Sequence, residues 1–354
     1  MITILADENI THLEDYFCHD NIKLIKLKGR EISQSVIDNH NPTALLIRSV
    51  TPINSNTITN PKNIKFIGSA TIGTDHVDNE FIHSNNIRFA NAKGSSKHSV
   101  AQYVITAILS KFSNFLHKKI TIGIIGLGNI GGTLAQYAKE LGWQILGYDP
   151  YLPISDTNNS SFDELLKNSD IISIHTPLTK TGSHPTHQLF NQSIFNQLKN
   201  HAILINTARG EIIHQDDLLW AINNKNISVI LDVFPFEPMI DKILLDKLTI
   251  ATSHIAGYTL DGKLRGTDMV YQAFCEYFNL PILQSMNDLM PTNNYHWQIL
   301  KNELLNGDTH HLKIYYDILK DDNHLRKICA DKVHGADFDE LRKQYELKRE
   351  WLYD

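Results

Sequence analysis

Residues 120–149 open with Ile120-Thr121-Ile122-Gly123-Ile124-Ile125-Gly126-Leu127-Gly128-Asn129-Ile130-Gly131. They continue in a helical pattern to Leu141 and close with Gln144-Ile145-Leu146-Gly147-Tyr148-Asp149. The apolar run before Gly126 suits a parallel strand buried on both faces. Gly126 permits a tight turn, Gly128 lets the backbone approach a pyrophosphate, and Gly131 lets the following helix pack closely on the strand. Asn129 and Ile130 begin that helix, whose unpaired N–H groups and dipole favour an anion. Asp149 ends the second strand, where a carboxylate accepts hydrogen bonds from an adenosine ribose. Strand, glycines, helix, strand and acid in this order predict a dinucleotide site. Asp149 would repel a 2′-phosphate, and Pro150 and Tyr151 follow it rather than a basic residue, so NAD is expected rather than NADP.

Outward from this stretch, 354 residues allow two or three domains with a large core. A hydrophobic fraction of 42% and a charged fraction of 20% are those of an ordinary globular protein, and a net charge of −6 without a long Lys/Arg run speaks against a nucleic-acid surface. Cys18, Cys275 and Cys329 have no metal or redox spacing, which points to a reducing, cytoplasmic setting. Ile2–Ala6 is a strand rather than a signal peptide, and no stretch is long and apolar enough to span a membrane. The histidines, His310-His311 and His184/His187 included, lack a metal-ligand pattern, so no metal is expected.

Upstream, short apolar runs at Ile2–Ala6, Ile22–Ile25, Ala44–Ile47, Ile64–Ile67 and Ile87–Ala90 alternate with helical or loop segments. This predicts an α/β lobe with a parallel sheet, which binds ligands beyond the carboxyl ends of its strands. Two such ends are Arg48-Ser49-Val50-Thr51 and Gly68-Ser69-Ala70-Thr71-Ile72-Gly73-Thr74-Asp75-His76; the second is either an anion cradle or a turn capped by Thr74 or Asp75. Residues 94–117 read as a helix with Val100, Val104, Ala107, Ile108 and Phe112 on one apolar face, bridging two domains. A second βαβ series follows, with strands at 120–125, 144–148, 171–175, 203–206, 229–232 and 249–252, a doubly wound sheet. Beyond about 283 the βα rhythm is lost. Leu312, Tyr315, Tyr316 and Leu319, then Leu341, Tyr345, Leu347 and Trp351, approximate helical spacing in a segment read as a helical appendage or an oligomerisation module.

The chemistry gathers at strand ends. His175-Thr176-Pro177-Leu178, Asn206-Thr207-Ala208-Arg209-Gly210, Asp232 leading to Glu237-Pro238, and Ser253-His254-Ile255-Ala256-Gly257-Tyr258 follow successive strands of the second sheet. Oxidation of a secondary alcohol by hydride transfer needs a base of pKa near working pH, which favours histidine. A hydroxy acid also needs a cation for its carboxylate, which arginine grips bidentately. His254 is the candidate base, Glu237 its orienting partner favouring the imidazolium, and Arg209 the carboxylate clamp. His76 and His175 are rival bases.

These motifs together resemble the D-isomer-specific 2-hydroxyacid dehydrogenase family over most of residues 40–270. The resemblance implies that Arg209, Glu237 and His254 are catalytic. It also implies two doubly wound parallel-sheet lobes: a flavodoxin-like substrate lobe (1–93, completed by 258–282) and a Rossmann NAD lobe (94–257). The resemblance further implies a small C-terminal α+β dimerisation module (283–354). Within the family, Met1–Asn9, the loops at 48–51 and 70–78, residues 254–263 and the C-terminal Tyr316-Asp317, Asp321-Asp322, Leu325-Arg326-Lys327, Phe338-Asp339, Leu341-Arg342-Lys343 and Arg349-Glu350-Trp351 resemble one branch. Its members are homodimers that oxidise a phosphorylated four-carbon 2-hydroxy acid on the way to pyridoxal 5′-phosphate. By that matching Ser49, Thr71 and Tyr258 would bind substrate, and Asp149, Thr176, Ala208, Asp232 and Gly257 would join the glycine-rich loop in binding NAD.

The chain departs from the branch in three places. It stops soon after Trp351, so a shortened module is expected; Phe234-Pro235-Phe236 precedes Glu237, so the loop aiming that carboxylate differs; and Gln102 stands where an acid is common. A net-negative protein must concentrate positive charge locally for such an anion. Arg48 is the first candidate for the phosphate, ahead of Lys93, Lys97 and Arg349. Two other readings compete: a relative acting on another hydroxy acid such as 3-phosphoglycerate, and a non-catalytic NAD-sensing binding protein. A substrate panel separates the first, and turnover the second.

Overall fold

A computed structural model describes residues 1–153 and 158–353. The chain divides into two units, one formed by Met1–Ser96 with Thr259–Thr292, the other by Lys97–Tyr258 with Asn293–Asp354.

In the first unit, β1 (Ile2–Asp7), β2 (Ile22–Leu27), β3 (Ala44–Ile47), β4 (Phe66–Ser69) and β5 (Arg88–Asn91) form a parallel sheet in the order β2-β1-β3-β4-β5. Alternate side chains of a strand face opposite sides. Ile4, Ala6, Ala44 and Leu46 pack on one side with Tyr271 and Phe274 of the helix Leu260–Phe278. Leu5, Leu45, Ile47 and Ile67 pack on the other with Ile37 and Phe81. Both faces are covered at the central β3, which is why Ala44–Ile47 is apolar throughout, whereas the edge strand β2 keeps Lys23 and Lys26 exposed.

The second unit repeats the plan with β6 (Thr121–Ile125), β7 (Gln144–Tyr148), β8 (Ile171–Ile174), β9 (Ile203–Asn206), β10 (Ser228–Leu231), β11 (Ile240–Asp241) and β12 (Ile250–Ala251). Six of these make a parallel sheet in the order β12-β10-β9-β8-β6-β7, while β11 pairs antiparallel with β13 (Lys332–Val333) of the C-terminal segment. The predicted strands are all present, with ends differing by one or two residues.

The bridging helix differs from its expected form. It spans Lys97–Lys111 and is buried continuously from Ser99 to Leu109, rather than along one face. The C-terminal segment covers the remainder: Ser99 Oγ donates to Glu350 Oε1 at 2.6 Å, and Trp297, Leu300, Leu312, Tyr316 and Trp351 join the same apolar cluster. Gln102 donates to the Trp351 carbonyl and accepts from the Trp351 N–H, both at 2.9 Å, and donates to the Tyr137 hydroxyl at 2.8 Å. An amide has both the donor and the acceptor this needs; a carboxylate would offer only acceptors.

The C-terminal periodicity is met only in part. Leu312 lies on the helix His310–Tyr315 and Leu341 on Gly335–Lys343, but Tyr345, Leu347 and Trp351 lie beyond the helix end. There the backbone is spent on other partners: Leu352 N donates to the Tyr295 carbonyl, and Trp297 N to that of Leu352. Among the described residues no helix is long and apolar enough to cross a membrane.

Candidate active site

The three strand ends carrying Arg209, Glu237 and His254 belong to β9, β10 and β12, which are neighbours in the sheet. Strands lie about 4.8 Å apart, so residues just past their carboxyl ends gather in one place.

His254 sits in a turn organised by Asp232. That carboxylate is completely buried and accepts from the Thr252 hydroxyl (2.6 Å), Ile255 N (2.8 Å) and Ala256 N (2.9 Å); the Asp232 carbonyl accepts from His254 N (2.8 Å). These bonds hold His254 in the left-handed region, at φ 56°. A non-glycine residue there costs on the order of 1–3 kcal/mol and persists only where its surroundings dictate it. Asp232, matched to the cofactor by resemblance, therefore builds the turn that presents His254.

His254 Nδ1 lies 2.7 Å from Glu237 Oε1, and Glu237 Oε2 accepts from Phe234 N at 3.1 Å. Burial alone would raise the Glu237 carboxyl. The His254 ring, the Phe234 N–H and the Arg342 charge together outweigh it and hold the group below the usual carboxylate range. An ionised carboxylate only accepts, so Nδ1 carries the proton and Nε2 of the neutral ring is left as the base. The altered Phe234-Pro235-Phe236 loop thus still aims Glu237 at His254. Replacing Glu237 with Gln removes the charge that favours imidazolium. The acidic limb of the pH profile for alcohol oxidation is expected to move to lower pH while kcat falls, because the ring orientation is less firmly held. An unmoved limb in that variant would show that Glu237 does not act electrostatically on His254.

Arg209 leaves a loop built by the Asn206 side chain, which accepts from Ala208 N (3.0 Å) and donates to the Arg209 carbonyl (2.8 Å). Arg209 Nη1 donates to the Ala208 carbonyl at 2.7 Å. Gly210 lies against the Phe234–Pro235 backbone, and a Cβ there would run into the Phe234 carbonyl group. That close approach joins the Arg209 loop to the Glu237 loop.

The rival bases are placed differently. Burial pushes His175 down to about 3, and its Nε2 lies 2.8 Å from Ser173 Oγ, so it is a neutral, pinned ring. His76 belongs to the first unit, 3.2 Å from Ser69 Oγ, which also contacts the Thr71 hydroxyl at 2.8 Å. The cap expected of Thr74 or Asp75 is supplied by Asp78, which accepts from Glu80 N and Phe81 N. Ser49 is exposed in the turn after β3. Arg48 rests near the buried Asp7 (4.0 Å) and donates to the Asn9 carbonyl (3.3 Å), so its charge is partly committed.

The residues present suit a dinucleotide. The helix Asn129–Glu140 starts with no side-chain cap, leaving its first N–H groups for an anion. A Cβ at Gly128 would meet nothing, whereas one at Gly131 would strike the Gly126 carbonyl oxygen. Asp149 accepts from Leu127 N (3.1 Å) and Tyr151 N (3.1 Å), which ties it to the glycine-rich loop. At the ends of β8 and β9 the buried His175 Nδ1, Thr176 Oγ1 and Thr207 Oγ1 have no partner. Buried polar atoms are rarely left so, and these three lie where a doubly wound sheet holds its cofactor.

Arg342, not among the candidates drawn from the sequence, also reaches this site. It donates from Nη2 to the Tyr258 hydroxyl at 2.9 Å. Its appearance in Leu341-Arg342-Lys343 was the only signal.

Comparison with known proteins gives the family and the fold. Residues 100–256 match the family described as D-isomer specific 2-hydroxyacid dehydrogenase, NAD binding domain. A protein of Psychrobacter cryohalolentis named erythronate-4-phosphate dehydrogenase is 47% identical over 99% of this chain and 97% of its own length. One of the same name from Acinetobacter baylyi is 42% identical over 98% and 97%. With 99% of this chain matched, the C-terminal segment is included. Among solved structures, NAD+-bound 3-phosphoglycerate dehydrogenase of Entamoeba histolytica superposes with a TM-score of 0.67 at 22% identity, over 78% of this chain and 95% of that one, a likeness of fold.

Proposed function

This chain belongs to the erythronate-4-phosphate dehydrogenase family, among the D-isomer-specific 2-hydroxyacid dehydrogenases, and on that premise we propose that it oxidises 4-phospho-D-erythronate to (R)-3-hydroxy-2-oxo-4-phosphooxybutanoate in pyridoxal 5′-phosphate synthesis. The observation that carries the reading is the His254–Glu237 pair, 2.7 Å apart on a strained turn beside the Arg209 loop. Arg209 grips the substrate carboxylate bidentately and so sets which face of C2 is presented. His254 Nε2 takes the C2 hydroxyl proton, and Glu237 stabilises the imidazolium that results. Ser49, Thr71 and Tyr258 are the further substrate contacts. NAD, when bound, supplies the hydride acceptor. The N–H groups at Asn129 and Ile130, beside Gly126, Gly128 and Gly131, would hold its pyrophosphate and Asp149 its ribose; Thr176, Ala208 and Gly257 would complete its contacts, with Asp232 acting through the turn that it builds.

The protein acts in the cytoplasm as a homodimer. Exposed Ile299, Leu305 and Ile314 in the C-terminal segment support pairing with a second copy. Light scattering is expected to return twice the 40.3 kDa chain mass; a monomer would remove this part of the reading.

The test is NADH formation with purified protein, NAD and 4-phospho-D-erythronate, beside 3-phosphoglycerate and D-lactate. A parallel assay adds a 2-oxo acid acceptor, to register turnover if the reduced cofactor stays bound. Turnover confined to the erythronate ester is expected. Turnover on another acid alone would retain the triad and reject the substrate.

A further inference from the structure

The helix Gly335–Lys343 delivers a cation to the turn that carries the base. Arg342 is half-buried there, its Nη2 donating to the Tyr258 hydroxyl at 2.9 Å. Its guanidinium carbon lies 5.5 Å from the Tyr258 ring centroid and 5.9 Å from that of Phe338. Its Nε is buried without a hydrogen-bond partner. The ring faces fix where the cation sits without consuming its N–H groups. Tyr345, also C-terminal, lies against Tyr258 with ring centroids 6.1 Å apart, so this segment flanks Tyr258 with both a cation and an aromatic ring.

An arginine has five donors in a rigid fork suited to phosphate. Burying one of them unanswered is costly unless something else occupies it. The substrate carries two anionic ends. Arg209 answers the carboxylate, next to the carbon whose hydroxyl faces His254. The phosphate, two carbons further along, needs its own cation. Arg48 is partly committed to Asp7.

We propose that Arg342 is the substrate-specificity residue for the phosphate end of the substrate, binding its oxygens beside Tyr258. The C-terminal segment then contributes to selectivity for the phosphorylated acid, as well as covering the helix Lys97–Lys111. This rests on the erythronate-phosphate reading above. A different role is also open to the same side chain: its charge helps hold Glu237 ionised, so it could act only through Glu237 and Tyr258.

The two roles separate when Arg342→Met and Arg342→Lys are assayed with both 4-phospho-D-erythronate and unphosphorylated D-erythronate. In Arg342→Met the KM for the phosphorylated acid is expected to rise roughly tenfold to a hundredfold, as for loss of charge-assisted hydrogen bonds. The kcat/KM for D-erythronate should fall far less than that for the phosphorylated acid, since only the lesser support of Glu237 and Tyr258 is lost, and the lysine should restore part of the loss, as a point charge without the fork. Equal losses on both acids, or a shifted acidic limb with KM unchanged, would overturn the proposal in favour of positioning. Should the variants fail to fold, the wild-type protein answers. Phenylglyoxal modification of Arg342, read by mass spectrometry, should be slowed by inorganic phosphate and by the phosphorylated acid but not by D-erythronate. Absence of that protection also overturns the proposal. Wild-type protein inactive on 4-phospho-D-erythronate would refute the parent reading; active wild-type with an indifferent Arg342 would refute only this one.

Discussion

Replacing His254 with alanine is expected to lower kcat for the oxidation of 4-phospho-D-erythronate by roughly 10²- to 10⁴-fold, the range for loss of a positioned base, with NAD binding retained. The loss is large because His175, the rival base in the same sheet, cannot substitute. His175 is pushed down to about 3 by burial and is held against Ser173, so it stays neutral and turned to a structural partner. NAD binding persists because the groups suited to hold it, the 126–131 loop and Asp149, take no support from the His254 ring. The turn should survive too, since its bonds run from the backbone and Thr252 to Asp232 rather than from the imidazole. Steady-state kinetics with cofactor titration by fluorescence checks both halves. Turnover within a few-fold of wild type would hand the proton transfer to another group.

Gly210→Ala should be nearly as damaging to turnover without removing any reacting group. The added methyl would occupy the space of the Phe234 carbonyl group, which is backbone and cannot rotate aside. Either the Arg209 loop or the Phe234–Glu237 loop must retreat. Phe234 N is also the donor that holds Glu237 Oε2, so a shift there loosens the carboxylate that orients His254. A displacement of about 1 Å in a positioning group can cost about a hundredfold in rate. We expect kcat/KM to fall by about that factor and stability to fall by about 1–3 kcal/mol, as for other overpacked sites. Thermal melts of the variant separate the two effects. A variant folded and active within a few-fold of wild type would show that the two loops move independently.

What could be read in advance followed from local rules. A strand covered on both sides is apolar along most of its length, so residues 122–125, Ala44–Ile47 and residues 203–205 announced themselves. The glycine-rich turn could be read because its backbone has steric requirements that few residues meet. Arg209, Glu237 and His254 were legible because parallel strands point their carboxyl ends the same way, so residues just past those ends share an edge whatever the packing elsewhere.

What escaped depended on partners remote in the chain. The helix Lys97–Lys111 could not be seen as buried all round, because Glu350 and Trp351, which cover it, lie some 250 residues later and meet it only when folded. The periodicity through Tyr345 and Trp351 was misleading for the same reason: those apolar residues satisfy a tertiary surface rather than a helix face. The sequence by itself therefore determined the two parallel sheets, the glycine-rich turn and the placing of Arg209, Glu237 and His254 past neighbouring strand ends, each set by steric or hydrogen-bonding rules acting over a few residues. Tertiary structure alone decided that Asp232 turns inward to build the His254 turn and that Arg342 reaches Tyr258. Burial and charge pairing across long chain separations have no local signature.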